Sequence, residues 1–251
     1  MTGSLTKISI LILLAIVLLF VYNYATFKLD FMGYQDKIWA HRVNSIEKLE
    51  FTQNRYAGIE LDLVFDEKTK TFDVNHPPTE SIGLTLETYF SHYDLGNHGG
   101  IWLDFKNLTA TNAESSLERL IVLSEKFQLE KNKIIVESQQ PEYLGGFKKA
   151  GFKTSYYLPT FMNQLSEEKL QEKISEINLN LENYPTTAIS TNIVDYEIIA
   201  AYFPNHTKYL WSIDKTFTSR VFKNYFRNRK ALKDPTVEVL LVRVNRQKGN
   251  R

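Results

Sequence analysis

Two carboxylates stand two positions apart in a strongly apolar stretch of the sequence. Glu60 and Asp62 lie in residues 58–64, which read GIELDLV. On a β-strand, residues two apart share a face, so the two carboxylates project together while the apolar residues between them face the other way. Carboxylates on a buried face repel each other and lose hydration. A hard cation such as Mg²⁺ or Ca²⁺ relieves both costs, and the spacing therefore predicts a metal site. The alternative is an exposed edge strand with alternating charge, which the apolar outward residues disfavour.

A third carboxylate occurs in a similar apolar run. Residues 100–106 read GIWLDFK, and the same two-residue period places Asp104 and Lys106 on one face. Asp104 is a candidate third oxygen ligand, and Lys106 is a candidate partner for a phosphate oxygen. An internal Asp–Lys ion pair that closes the end of the strand is the alternative, and it is compatible with a phosphate site.

Two histidines stand at the ends of predicted strands. His41 precedes Arg42, which places a titratable group beside a fixed cation, and His76 precedes two prolines that stiffen its turn. Each histidine alone is more typical of a solvated loop. Together they offer the base and the acid that phosphodiester cleavage requires.

Short β-rich runs and helical patterns alternate after Lys28. The predicted strands cover residues 38–41, 58–65, 72–76, 100–106, 133–137, 153–158, 187–191, 208–213 and 237–244. This alternation is typical of parallel βα units, and about eight units fit a single-domain α/β fold, the TIM (β/α)₈ barrel. One of the nine predicted strands is then surplus to the barrel. Residues 237–244 are the first candidate for the surplus strand. Residues 72–76 are the second, because they follow residues 58–65 with no room for a helix between them. A doubly wound sheet competes, but its glycine-rich first turn is missing.

Three helices have recognisable beginnings. Residues 111–114 read TNAE, a capping-box pattern that predicts Thr111 as the cap of the helix that follows. Ser166 is the predicted cap of another helix. A third, short helix is predicted from Asp195 to Phe203, where Pro204 ends it.

Composition limits the classes of function. The chain has 251 residues, a net charge of +1 and no cysteine. A charge this small gives no overall attraction to nucleic acid, and the missing cysteines exclude disulfides, thiolate metal sites and a cysteine nucleophile.

The N-terminal segment is apolar. Between Lys7 and Lys28 lie 20 uncharged residues, and a helix of that length is about 30 Å long, enough to cross a bilayer. We therefore predict a transmembrane anchor or signal segment in residues 1–27 and a barrel domain in residues 28–251. The segment lacks a clear cleavage site, which favours an uncleaved single-pass anchor over a signal peptide. The single charge of Lys7 favours a cytoplasmic N-terminus and an extracytoplasmic barrel.

The four clusters, in this order, resemble the glycerophosphodiester phosphodiesterase family of the phospholipase-C-like phosphodiesterase superfamily. The family pattern runs His-Arg, Glu-x-Asp, His-Asp and Glu-x-Lys. The sequence has His41-Arg42, Glu60-Leu61-Asp62, His76-Pro77 and Asp104-Phe105-Lys106 in those places. Residues 209–214 look like a weak version of a later family strand. The resemblance is specific over residues 38–106.

Three departures from that pattern are similar to a divergent branch, the menorin type. Val43 replaces a glycine, Pro77 replaces an Asp, and Asp104 replaces a Glu. Residues 41–45, 60–62, 76–78 and 103–106 match the menorin pattern more closely, although Arg42 keeps the phosphodiesterase feature. Menorin-type proteins have no well-established reaction.

The resemblance implies a role for each clustered residue. Glu60, Asp62 and Asp104 become ligands of one divalent cation, Mg²⁺ or Ca²⁺. His41 and His76 become the acid–base pair, and Arg42 and Lys106 hold the phosphate. We therefore expect a membrane-attached, metal-dependent phosphoric diester hydrolase acting on glycerophosphodiesters or related lipid-derived diesters. The alternatives are a non-catalytic, membrane-anchored binding protein with the same barrel, and a partner-binding domain that acts through its surface.

Overall fold

A computed structural model of the chain describes residues 2–24, 31–94, 96, 99–212 and 221–244, with side chains left out at residues 2–6, 19–24 and 221–223. Nine strands lie in these ranges: β1 (Ile38–His41), β2 (Gly58–Asp66), β3 (Thr71–Val74), β4 (Gly100–Phe105), β5 (Ile134–Ser138), β6 (Lys153–Tyr157), β7 (Ala188–Asn192), β8 (Lys208–Trp211) and β9 (Val237–Arg243). Each overlaps a predicted run; residue 213, the end of one run, lies outside the described residues.

Eight of the strands form a closed parallel barrel. Their order is β1-β2-β4-β5-β6-β7-β8-β9, and β9 pairs in parallel with β1 to complete the circle. The single-domain (β/α)₈ barrel predicted from the alternation of elements is confirmed by the described residues between 38 and 243.

The strand outside the barrel is β3. It pairs antiparallel with β2 through Leu63–Val74 and Phe65–Phe72, after a short turn in which Lys70 has a φ of 55°. The interpretation of residues 237–244 as the surplus strand is wrong, because that run closes the barrel. The second candidate, residues 72–76, is the correct one, since no helix separates β3 from β2 and the two must form a hairpin.

Eight α-helices are described: α1 (Thr2–Tyr24), α2 (Ile46–Thr52), α3 (Leu86–Ser91), α4 (Ala113–Lys126), α5 (Gly145–Lys149), α6 (Glu167–Asn183), α7 (Tyr196–Tyr202) and α8 (Val221–Lys233). Helix α7 ends before Pro204, as predicted, and α6 begins after Ser166, although the Ser166 side chain makes no capping hydrogen bond.

The predicted capping box at the start of α4 is wrong. Asn112 occupies the cap position, and its side chain turns back to accept from Thr109 N at 2.9 Å and to donate to Asn107 O at 2.7 Å. Thr111 instead donates its hydroxyl to Glu67. The side chains therefore stabilise the loop before α4 rather than the first turn of the helix.

The barrel separates two apolar cores. Outward residues of the strands, among them Ile59, Leu61 and Leu63, pack against the surrounding helices. Inward residues fill the lumen, among them Trp102, Tyr209 and Trp211, with Trp39 packed against them. This division confirms the predicted facing of β2, with apolar side chains outside and carboxylates inside.

The described residues contain no helix that is both long enough and apolar enough to cross a membrane. Residues 25–27 of the predicted anchor lie outside the described residues, and the anchor stays a prediction.

Candidate functional site

The predicted chemical residues meet at the carboxyl end of the barrel strands. His41 is the last residue of β1, Glu60 and Asp62 lie on β2, and Asp104 lies on β4 in register with Asp62. In (β/α)₈ barrels this end carries the active site. All seven predicted site residues line one cavity there: His41, Arg42, Glu60, Asp62, His76, Asp104 and Lys106.

Glu60, Asp62 and Asp104 form a cluster that could hold a metal ion. Each offers one carboxylate oxygen, and the three oxygens lie within 4.8 Å of one another. Two oxygens that bind one Mg²⁺ or Ca²⁺ at about 2.0–2.6 Å are at most about 5 Å apart, so the spacing fits. Glu60 and Asp62 are almost fully buried, and an all-oxygen, negatively charged donor set suits a hard divalent cation.

Two neighbouring groups fix the β2 carboxylates. The backbone N–H of Arg42 donates to Glu60 Oε2 at 2.6 Å. Asn44 makes two hydrogen bonds to Asp62. Its side-chain Nδ2 donates to Asp62 Oδ2 at 2.6 Å, and its side-chain Oδ1 accepts from the backbone N–H of Asp62 at 3.0 Å. The sequence analysis placed Asn44 within residues 41–45, which match the menorin pattern, but gave it no role in the site.

The carboxylates repel each other in the absence of a cation. Burial, reinforced by the charges of Asp62 and Asp104, raises the pKa of Glu60 well above its usual range. Burial also raises the pKa of Asp104, against the opposing effect of Lys106. The cluster therefore favours binding of positive charge.

Lys106 supplies one positive charge to the cluster. Its ammonium lies 2.8 Å from Asp62 Oδ1 and also pairs with Asp104. Burial acts to lower the pKa of Lys106, but Asp104 and Asp62 outweigh it and raise that pKa. Lys106 therefore remains protonated, as a residue that contacts a phosphate must be.

The two histidines flank the carboxylates. His41 Nε2 lies 3.7 Å from Glu60 Oε2, and His76 Nε2 lies 3.9 Å from Asp62 Oδ1. Burial, with the charge of Arg42, lowers the pKa of His41 to about 3, so His41 is neutral at physiological pH.

The β2–β3 hairpin explains how His76 reaches the site. Because β3 runs back along β2, the chain beyond Val74 returns to the level of Asp62, where Asn75 N donates to Asp62 O at 3.1 Å. His76 follows directly. The strand outside the barrel thus delivers the second histidine to the mouth.

Arg42 has a left-handed backbone, with a φ of 56°. Such a conformation costs a residue with a Cβ about 1 kcal/mol or more. Its N–H bond to Glu60 and the bond from Lys48 Nζ to its carbonyl, at 2.9 Å, hold it there. Its guanidinium Nη2 lies 2.8 Å from His76 Nε2. Since arginine only donates, Nε2 of His76 is the acceptor in this contact.

Glu137 is a fourth buried carboxyl in the lumen, and the sequence analysis missed it. It is adjacent to Asp104 across β4 and β5 and accepts a short hydrogen bond from the Ser190 hydroxyl. Burial, with the charge of Asp104, raises its pKa well above the usual range. The available signal was the same as for Glu60: a carboxylate in an apolar strand, IIVES.

Comparison with known proteins rests on structure. No protein-family model matches the chain, and no curated protein matches it either. Among solved structures, a glycerophosphodiester phosphodiesterase from Parabacteroides distasonis has a TM-score of 0.56 at 14% identity, covering 82% of this chain and 91% of its own. A phosphodiesterase from Oleispira antarctica, in complex with the product sn-glycerol-3-phosphate, has a TM-score of 0.55 at 12% identity, with 82% and 92% covered.

The fold is that of solved glycerophosphodiester phosphodiesterases. At these identities the likeness establishes the barrel and its extent, and it agrees with the resemblance found over residues 38–106. The closer similarity to the menorin-type branch stays a prediction, as do the individual roles assigned to the seven site residues.

Proposed function

We propose that this chain is a metal-dependent phosphodiesterase that hydrolyses glycerophosphodiesters or related lipid-derived phosphodiesters. The observation that carries the proposal is the convergence of three carboxylates, two histidines and two fixed cations in one cavity at the carboxyl end of the barrel. The shared fold of the solved phosphodiesterases supports it.

Glu60, Asp62 and Asp104 would hold the cation. When bound, a divalent cation polarises a phosphoryl oxygen and offsets the charge that develops on it. Arg42 and Lys106 would contact the remaining phosphate oxygens, because both are positively charged, line the cavity and lie beside the carboxylate cluster.

We assign to His41 the role of general base. It lines the cavity, is neutral at physiological pH and has 15% of its side chain exposed, so an unprotonated ring nitrogen is available to the attacking water or hydroxyl. His76 is more accessible, with 31% of its side chain exposed, and its Nε2 lies 3.9 Å from Asp62 Oδ1. We assign to His76 delivery of a proton to the leaving alcohol, so that one P–O bond forms, one breaks, and each histidine handles one proton.

The purified full-length chain tests the proposal. Incubation with glycerophosphodiesters and Mg²⁺ or Ca²⁺ should release a phosphomonoester and an alcohol, and chelation should stop the release. His41→Ala and His76→Ala should each lower kcat by about 10²–10⁴-fold, the usual contribution of a general acid or base. His92→Ala, at an exposed helix end, is the matched control. A folded protein without turnover in any cation would contradict the enzymatic proposal.

A non-catalytic metal-binding protein is the second candidate. Lys106 already pairs with Asp62 and Asp104. These ion pairs partly neutralise the two carboxylates within the protein, as is expected of a site that has lost its activity toward phosphodiesters. Calorimetric binding of Ca²⁺ or Mg²⁺ without hydrolysis of any diester would favour this candidate.

We further propose that the chain is attached to a membrane with its barrel outside the cytoplasm. Support comes from the uncharged run between Lys7 and Lys28 and from the lone charge of Lys7 before it. Protease accessibility of the barrel in intact cells, with cell fractionation, tests this location. Recovery of the chain in the cytosolic fraction would contradict it.

A further inference from the structure

A groove of about 660 Å³ adjoins the carboxylate cluster. It shares His76, Asp104, Lys106 and Tyr157 with the cavity of the site. Its volume is within the range of sites for small organic molecules, about 300–1,000 Å³. A diester whose phosphate lies at the cluster therefore has space in this groove for one of its two alcohol groups.

The groove has a neutral, polar lining. Apart from His76, Asp104 and Lys106, which it shares with the site, every described residue lining it is uncharged. The polar side chains that project around it include Thr109, Ser138, Gln139, Gln140 and Tyr157. The carboxylate of Asp104 is already paired with Lys106. A cationic head group would thus find no unpaired carboxylate among these residues.

The groove also lacks an aromatic cage among its described residues. Quaternary ammonium groups are usually bound by several aromatic faces. Two aromatic residues line the groove, but the ring of Phe105 packs edge-on against Phe72 and Phe147 in the core outside the barrel. Tyr157 alone is left to offer a ring face.

Hydroxyl groups, in contrast, would find partners there. Each glutamine amide carries two donor hydrogens and one acceptor oxygen, and Gln139 and Gln140 are both exposed. The Ser138 hydroxyl accepts from Gln140 N at 3.1 Å and still has a hydrogen to donate. Burial raises the pKa of Tyr157 to about 12, so the Tyr157 hydroxyl keeps its proton and can donate it.

We infer that this groove binds a neutral, polyhydroxylated alcohol group of the diester, such as a cyclitol or sugar, and that Gln139 and Gln140 select it over a cationic group. The inference rests on the proposed function and adds the class of alcohol to it. A site that hydrogen-bonds hydroxyl groups discriminates against analogues that lack them, because its polar groups are then left unpaired.

Hydrolysis and binding test the inference separately. With the full-length chain and Ca²⁺ or Mg²⁺, kcat/KM for glycerophosphoinositol should exceed that for glycerophosphocholine by about tenfold or more. In the Gln139→Glu, Gln140→Glu double variant, the added carboxylates should favour the cationic substrate and reduce this ratio by about fivefold, which corresponds to ~1 kcal/mol. Gln164→Glu, an exposed glutamine outside the groove lining, should leave the ratio unchanged.

Calorimetry with inositol 1-phosphate and phosphocholine gives a readout that does not depend on turnover. If inositol 1-phosphate binds more tightly than phosphocholine, and only the double variant reduces this preference, the groove assignment is supported. That support holds even if no diester is hydrolysed. Absence of hydrolysis would contradict the proposed function alone. Equal binding of the two phosphomonoesters, or equal hydrolysis of the two diesters, overturns the inference about the groove. If both diesters are hydrolysed, the proposed function is still supported. An unchanged ratio in the double variant overturns the role of the two glutamines.

Discussion

At the scale of single residues, Asn44 is the side chain that orients a carboxylate of the candidate metal site. Its amide donates to Asp62 Oδ2, which leaves Oδ1 toward Lys106, and its side-chain oxygen accepts from the backbone N–H of Asp62. Groups of this kind typically contribute 10- to 100-fold to metal affinity. Asn44→Ala should therefore weaken Ca²⁺ or Mg²⁺ binding by about that factor, measured by isothermal titration calorimetry.

Asn54→Ala is the matched control for Asn44→Ala, because Asn54 is exposed and lies outside the cavity lining. Its metal affinity should equal that of the parent chain. Equal affinity in the Asn44 variant, with the fold intact, would show that Asp62 needs no orientation by Asn44.

Glu137 should make the stability of the fold depend on pH. Its pKa is raised in the folded chain, so the folded state holds this proton at pH values where the unfolded state has released it. The contribution is fully present at acidic pH and is lost as the pH rises from about 4.5, the usual pKa of an unfolded glutamate, through the raised pKa. Glu137→Gln removes that loss and should melt at a higher temperature than the parent chain at pH 8, with the difference shrinking toward pH 4.5.

Thermal melts in a chelator across this pH range make the comparison. Glu50→Gln, at an exposed position of α2, should follow the parent chain at every pH. A melting difference for Glu137→Gln that does not change with pH would refute the assignment of a raised pKa to Glu137.

The roles of individual residues differ in how far the sequence indicates them. Glu60, Asp62 and Asp104 are indicated because a charge in an otherwise apolar strand is costly and needs a reason. Glu137 has the same pattern but has no charged neighbour two residues away. Asn44 lies in residues 41–45, which match the menorin pattern, but asparagine after a strand is also common in turns. The role of its amide follows only from the position of β2 beside it.

At the scale of elements, two strands begin with glycine because of a single tryptophan. Trp39 of β1 projects into the lumen against the starts of β2 and β4, and a Cβ at Gly58 or Gly100 would overlap the indole ring. Gly58→Ala and Gly100→Ala should each destabilise the fold by about 1–3 kcal/mol, the usual cost of overpacking a core.

Urea unfolding measures these changes. Gly145→Ala is the control, because nothing lies within 4 Å of a Cβ at Gly145 in α5; alanine there should be neutral or stabilising by about 0.5–1 kcal/mol. Parent-like stability of both Gly58→Ala and Gly100→Ala would mean that Trp39 does not fill this space.

The β2–β3 hairpin shows that the sequence can predict a strand without predicting what the strand pairs with or what it positions. Residues 72–76 have the composition of a strand, but the sequence offers no partner for it within a parallel barrel. The antiparallel pairing of β3 with β2 is seen only in the tertiary structure. It turns an apparently surplus strand into the element that carries His76 to Asp62.

At the scale of the whole molecule, the barrel assembles three carboxylates from two strands before any cation is present. Their mutual repulsion and burial oppose folding, so a cation that binds only the folded state should stabilise the chain. At a concentration about 100 times its Kd, the gain is about 2.7 kcal/mol. Ca²⁺ or Mg²⁺ should therefore raise the melting temperature of the chelator-treated chain.

Asp62→Asn sharpens this prediction, because it removes a ligand charge while conserving shape. The melting temperature of the variant should rise little on addition of cation, because one ligand charge is lost. A parent chain whose melting temperature does not respond to either cation would contradict the metal site.

The sequence by itself determined the class of barrel, because strands and helices alternate along it. It also determined the facing of β2 and the residues of the cluster, because these follow from the two-residue period of strands and from the cost of burying charge. It did not determine which strand closes the barrel, what caps α4, or that Glu137 and Asn44 belong to the site. Those features depend on contacts between residues far apart in the chain: β9 with β1, Asn44 with Asp62, and Asp104 with Glu137. Only closure of the barrel brings such groups to one mouth, and only there do the carboxylates, the histidines and the neutral groove become one site.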